Sequence, residues 1–138
     1  MLRYRLIHPE ILGALAAAGH GSRVLLADGH YPVSTGAAAG VPRVWLNLAP
    51  NRLTVVEVLE VLVDAVVVEA AAVMQPAADQ PEPEVFGEFA ELLGDCPVER
   101  LDRFAFYDAA RSPDLALVIA TGELRTYANL LLTLGVAS

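Results

Sequence analysis

Two of the chain's three histidines, His20 and His30, lie in one glycine-rich stretch from Gly19 to Pro32, with Asp28 two residues before the second. Imidazole is the side chain whose ordinary pKa lies nearest neutrality, so two histidines beside a carboxylate are suited to moving protons between oxygens. The same residue types would also suit zinc or manganese. A plainer reading makes Gly19 a helix end, Asp28-Gly29 a turn and both histidines surface residues. Between the polar groups run Val24 to Ala27, four apolar residues that read as a buried strand. Asp28 and His30 leave its carboxyl end, where open α/β sheets form ligand crevices. The expectation is that the imidazole of His20 and the carboxylate of Asp28 open into one pocket.

The elements that must position these groups follow from local patterning. Pro9 suits the first turn of a helix running to Ala18, with Gly19 just beyond its end and His20 delivered by its C-terminus, where the helix carbonyls favour a cation. A loop rich in Gly, Ala, Ser and Pro covers Gly29 to Pro42, and Arg43 to Leu48 reads as a strand. Thr54 caps a helix from Val55 to about Ala65, with Val55, Val58, Leu59 and Leu62 on one face. Val66 to Met74 reads as a central strand with Glu69 inside it, Gln75 to Pro83 as a surface loop, and Glu84 to Leu93 as a helix ending at Gly94.

Pro97 to Leu101 reads as a short strand. Asp102 then caps a helix from Arg103 to Arg111, which sets Arg103, Phe106 and Tyr107 on one face. Leu115 to Ala120 is a strand with Thr121-Gly122-Glu123 turning at its carboxyl end. For Tyr127 and Asn129 to face one ligand, the segment Tyr127 to Leu134 must be extended, because a helix would turn them to different sides. From spacing alone, Arg103 reads as a surface residue paired with Asp102 or Asp108. For Phe104, Phe106 and Tyr107 the plain reading is core packing, which claims at least one of them, and Tyr127 and Asn129 read equally as turn and strand-edge residues or as ligand-facing ones. Strands alternating with helices, without repeats or linkers, imply one α/β domain over 1–138, with a mixed, mostly parallel sheet flanked by helices.

With 55% hydrophobic residues, the chain must bury much apolar surface in its core or in subunit interfaces. A formal net charge of -8 repels nucleic acid. The single cysteine, Cys96, cannot form an internal disulfide and fits a reducing compartment. No apolar run approaches a membrane span, and His8-Pro9-Glu10 interrupts the only run resembling a signal peptide, so a cytoplasmic protein is expected.

Five motifs in order extend these readings: Gly19-His20-Gly21, Asp28-Gly29-His30-Tyr31-Pro32, Arg103-Phe104-Ala105-Phe106-Tyr107, Thr121-Gly122-Glu123 and Tyr127-Ala128-Asn129, before a closing Leu134-Gly135-Val136. Together they resemble the D-ribose pyranase and L-fucose mutarotase family, nearly end to end. The first and third, and a histidine two residues after Asp28, look like the fucose branch, and Tyr127-Ala128-Asn129 looks more like the ribose branch. Ser22 and the Gly29-His30-Tyr31 run depart from the fucose pattern.

The resemblance implies a cofactor-independent isomerase that interconverts anomers of L-fucose or a related free monosaccharide. The alternatives are pyran to furan interconversion of D-ribose, or a sugar-binding subunit without turnover. It further implies His20 as proton donor with Asp28 beside it, and His30, Arg103, Tyr107, Tyr127 and Asn129 as sugar-binding positions. No metal is implied. Partners would be other copies of the chain, in a ring-shaped homo-oligomer, commonly a decamer, with each site completed by a neighbour. The group that accepts the anomeric proton stays open among Asp28, His30 and Tyr127.

Overall fold

A computed structural model describes residues 1–138. In chain order the elements are α1 (Pro9–Ala17), β1 (Arg23–Ala27), β2 (Arg43–Trp45), α2 (Val55–Ala65), β3 (Val68–Met74), α3 (Val85–Leu93), β4 (Val98–Leu101), α4 (Arg103–Ala110), β5 (Leu115–Ala120) and β6 (Leu130–Leu134). The six strands form one sheet in the order β2-β5-β1-β6-β3-β4. The β2-β5, β5-β1 and β3-β4 pairs are parallel, and β6 runs antiparallel to both neighbours. The sheet is therefore mixed and mostly parallel, as the sequence implied.

Both faces of the sheet are covered, which is why β1 and β5 read as continuous apolar runs. Val24 and Leu26 point to one side, joining Ile11, Leu59, Phe89, Ile119 and Leu130 under α1, α2 and α3. Leu25 and Ala27 point to the other, against Phe106 and Ala110 of α4 and Tyr31, Val33 and Ala37 of the loop after β1.

The local signals act as expected at α2. Thr54 Oγ1 accepts from Glu57 N–H while the Glu57 carboxylate accepts from Thr54 N–H, a reciprocal capping box. The predicted face of Val55, Val58, Leu59 and Leu62 is the buried one. At α1, Pro9 takes the first turn and His8, the third histidine, caps the helix by accepting Ile11 N–H at its Nδ1. The left-handed residue after α1 is Gly21, at φ 85°, which turns its N–H onto the Leu134 carbonyl.

Two expectations need correction. The strand predicted over Arg43–Leu48 stops at Trp45, because Leu46 and Leu48 turn to bond the 52–53 backbone. The segment predicted as extended from Tyr127 begins as a strand only at Leu130, since Tyr127 has φ 59°. No helix is long and apolar enough to cross a membrane.

Candidate active site

The carboxyl ends of β1, β3, β4 and β5 share one edge of the sheet, and the reversed β6 brings its amino end to that same edge. There a cleft of about 170 Å³ is lined by Asp28, His30, Tyr31, Met74, Arg103, Tyr107, Thr126, Tyr127 and Asn129. Six of the seven residues singled out in the sequence meet in it: Asp28, His30, Arg103, Tyr107, Tyr127 and Asn129. Met74 and Thr126 were missed. Their one available signal was position, at the end of a strand and next to Tyr127.

Asp28 organises the cleft floor. It is 3% exposed, and its Oδ1 accepts the N–H groups of both His30 and Tyr31 at 2.9 Å. Its Oδ2 accepts Ala128 N–H at 3.2 Å, and Asp28 N–H donates to Asn129 Oδ1 at 2.8 Å. The turn after β1 is thereby tied to the segment entering β6. Burial pushes the Asp28 carboxyl above its ordinary value, while the three backbone N–H groups, and the His30 ring whenever it is protonated, pull the other way. Once those bonds are made, one lone-pair position remains on Oδ2, and the Asn129 amide keeps its NH₂ to donate.

Tyr127 is held in the left-handed region, which costs a non-glycine residue about 1–3 kcal/mol. The bonds from Ala128 and Asn129 to Asp28 hold the turn that presents it. On the opposite wall, Arg103 has no ion pair with Asp102 or Asp108. Its guanidinium lies 5.6 Å from the Tyr107 ring centre, free to donate into the cleft. Asp102 instead caps α4 by accepting Ala105 N–H. The Tyr31 ring packs on Tyr107 and Phe106, and its hydroxyl donates to the Gly36 carbonyl. Burial also pushes that hydroxyl's pKa up, and with its proton already given to the Gly36 carbonyl Tyr31 serves as a wall of the cleft. Phe106, fully buried, belongs to the core.

His20 is the exception. It precedes β1 while Asp28 follows it, so five strand residues, about 16 Å of chain, separate the two ends. Within one chain the expectation of a shared pocket for His20 and Asp28 does not hold. Neither does the His20, Asp28 and His30 trio come together as metal donors, and no other His, Cys, Asp and Glu group has that arrangement.

At its own end of the sheet, His20 Nε2 faces both carboxylate oxygens of Glu69, at 3.0 and 3.1 Å, with the imidazole largely exposed. A carboxylate that accepts from one ring nitrogen orients the ring and leaves Nδ1 to meet solvent or a partner. The Glu69 partner of His20 was missed in the sequence, although a lone carboxylate in an otherwise apolar strand was its signal.

Behind the cleft, Glu123 is 1% exposed and pairs with Arg125, which also bonds Glu88. Those two carboxylates hold the Arg125 guanidinium firmly charged. Thr121 Oγ1 donates to the Ala27 carbonyl at 2.7 Å. The Thr121-Gly122-Glu123 turn is thus a buttress.

Fold and site together define a small single-domain α/β protein with a polar cleft of small-molecule size at the carboxyl edge of its sheet. More particularly, residues 1–137 match the RbsD / FucU transport protein family, and the chain belongs to it. It is 31% identical to the fucose mutarotase of Mus musculus over 144 residues, covering 95% of this chain and 90% of that protein. It is 33% identical to the L-fucose mutarotase of Actinobacillus pleuropneumoniae serotype 5b over 138 residues, covering 94% and 92%. Its fold matches Bacillus subtilis RbsD complexed with D-ribose with a TM-score of 0.86 at 26% identity, across 100% of both chains.

Proposed function

We propose that this chain is an L-fucose mutarotase, an isomerase that interconverts the α and β anomers of a free monosaccharide without a cofactor, and that residues 1–138 act as one mutarotase unit. The observation that carries this reading is the gathering of Asp28, His30, Arg103, Tyr107, Tyr127 and Asn129 around one small polar cleft in a member of this family. The curated relatives named as fucose mutarotases support the sugar and the reaction.

Changing an anomer requires ring opening. The ring oxygen gains a proton as its bond to C1 breaks, the anomeric hydroxyl loses its proton as C1 becomes a carbonyl, and the open form recloses on the other face. A positioned acid and a positioned base contribute about 10²- to 10⁴-fold each, ample for a reaction that already runs in water. Arg103 and Asn129 donate to sugar hydroxyls, the remaining Oδ2 position of Asp28 accepts from one, and Tyr107 offers an apolar face to the C–H groups.

His20 is the proton donor in this reading, and it acts on the cleft of a neighbouring subunit. The separation of His20 from its own chain's cleft supports that arrangement, as does exposed apolar surface at Trp45, Leu48, Phe104 and Leu124, which suits subunit contacts. We take the assembly to be a homo-oligomeric ring, of decameric size by family likeness, in the cytoplasm. A second reading, D-ribose pyranase, is favoured by the fold match to RbsD holding D-ribose.

Saturation-transfer NMR on L-fucose and on D-ribose at equilibrium tests both. Exchange between fucose anomers supports the mutarotase, and exchange between ribose pyranose and furanose alone supports the second reading. Sugar binding without any exchange makes the chain a binding subunit. Stoichiometric zinc or manganese in the purified protein would count against a cofactor-free mechanism.

A further inference from the structure

Leu124 stands between two polar contacts. Its N–H donates to Asn51 Oδ1 at 3.1 Å, and its carbonyl accepts from His30 Nε2 at 2.9 Å. A carbonyl can only accept, so Nε2 carries the proton of this bond and the Nδ1 of a neutral ring carries none. Nδ1 has no partner in the chain, and His30 lines the cleft.

Leu124 is placed from outside the cleft. Asn51 has φ 60°, and its own N–H donates to the Gly122 carbonyl at 2.6 Å. Gly122 N–H donates to the Leu53 carbonyl at 2.9 Å. The two segments touch so closely that a Cβ at position 122 would lie 2.3 Å from the Ala49 carbonyl oxygen. The turn after β5 and the loop after β2 are therefore tied together, and Asn51 gives that loop its only side-chain hold on Leu124.

Among the groups that could take the anomeric proton, Asp28 has both Oδ1 lone pairs committed and one of those on Oδ2. His30 Nδ1 is bare. We propose that Asn51 is a positioning residue: through Leu124 it fixes His30 as the Nε2–H tautomer, which makes Nδ1 the atom that accepts the anomeric proton. The inference rests on the mutarotase reading. In the step, the anomeric O–H proton passes to Nδ1 and its bonding electrons form the C1 carbonyl. The C1–O5 pair goes to the ring oxygen, which takes a proton from His20 of the neighbouring subunit. Reclosure returns both protons.

The test is nitrogen-15 NMR of the imidazoles in the intact protein, with His30→Gln to assign the His30 signals, run beside saturation transfer on L-fucose. Wild type should show His30 protonated at Nε2 and bare at Nδ1. Asn51→Gly tolerates the positive φ but removes the acceptor. It should mix the tautomers and lower kcat for exchange by about 10- to 100-fold with little change in KM, the scale expected when a reacting group is misplaced. Asn51→Asp keeps an acceptor and should restore both.

A wild-type His30 protonated at Nδ1 overturns the proposal whether or not any variant folds. So does wild-type exchange in Asn51→Gly, or an Asn51→Asp no better than Asn51→Gly. A wild-type protein that exchanges neither sugar would overturn the mutarotase reading instead, and the nitrogen spectrum would still decide the tautomer.

Discussion

Co-expressing two inactive variants gives the sharpest check on where His20 works. His20→Ala removes the proposed proton donor and keeps the cleft, whereas Arg103→Ala damages the cleft and keeps the proposed donor. Each alone should be slow, with His20→Ala losing the roughly 10²- to 10⁴-fold of a general acid, or about 3–5 kcal/mol of barrier. If a site pairs the cleft of one chain with the histidine of its neighbour, random assembly at equal expression yields a working site half the time for the cleft and half the time for the histidine. About a quarter of wild-type exchange should then return, far above either parent. The strand between His20 and Asp28 makes the opposite outcome equally clear. If His20 served its own chain, no mixed assembly would contain an intact site, and exchange would stay at the level of the parents. Saturation transfer on L-fucose reads both results, and sizing of the mixed assembly confirms that the chains combined. Recovery no greater than the sum of the two parents would refute the reasoning.

Three other expectations concern the frame of the site. Gly122→Ala forces a methyl to within 2.3 Å of the Ala49 carbonyl oxygen and 2.7 Å of that of Arg52, so it should lower stability by more than about 2 kcal/mol, read as a fall in the urea midpoint. Thr54→Ala opens the α2 capping box and should cost about 1 kcal/mol by the same measure, with sugar exchange unchanged. For Asp28 the folded carboxyl titrates above its ordinary value of 3.8, so over that window the folded state holds more protons than the unfolded one. Stability of wild type relative to Asp28→Asn should therefore fall as pH rises from below 3.8 through the folded value, and a difference that grows with pH would show the sign to be wrong.

Much of this architecture was legible because its signals are local. Thr54, Glu57 and the Val55, Val58, Leu59, Leu62 spacing specify α2 without help from the rest of the chain. β1 and β5 declare themselves as buried strands by uninterrupted apolar runs. The placement of Asp28, His30 and the Thr121 turn at one edge follows from parallel strands sharing their carboxyl ends.

What misled was nearness in sequence. His20 and Asp28 flank the same strand, and a strand carries its two ends apart where a tight turn would bring them together. Tyr127 resisted local reading because its left-handed conformation is imposed by bonds to Asp28, a hundred residues away. Arg103 seemed destined for Asp102 until the helix cap claimed that carboxylate. The contacts of Glu69 with His20 and of Asn51 with Leu124 exist only in the folded chain, so neither residue stood out in the sequence.

The reversed direction of β6 has a practical side. Because that strand starts beside Asn129 and finishes beside Gly135, where an added Cβ would press on Val67 and Glu69, any chain continuing past it emerges next to His20 and away from the Asp28 cleft. A purification tag or fused domain joined there would leave the Asp28 cleft open while crowding His20, which under the proposed mechanism serves a neighbouring subunit. On the mutarotase reading, such a protein would bind sugar and turn it over slowly, an outcome easily mistaken for a damaged cleft.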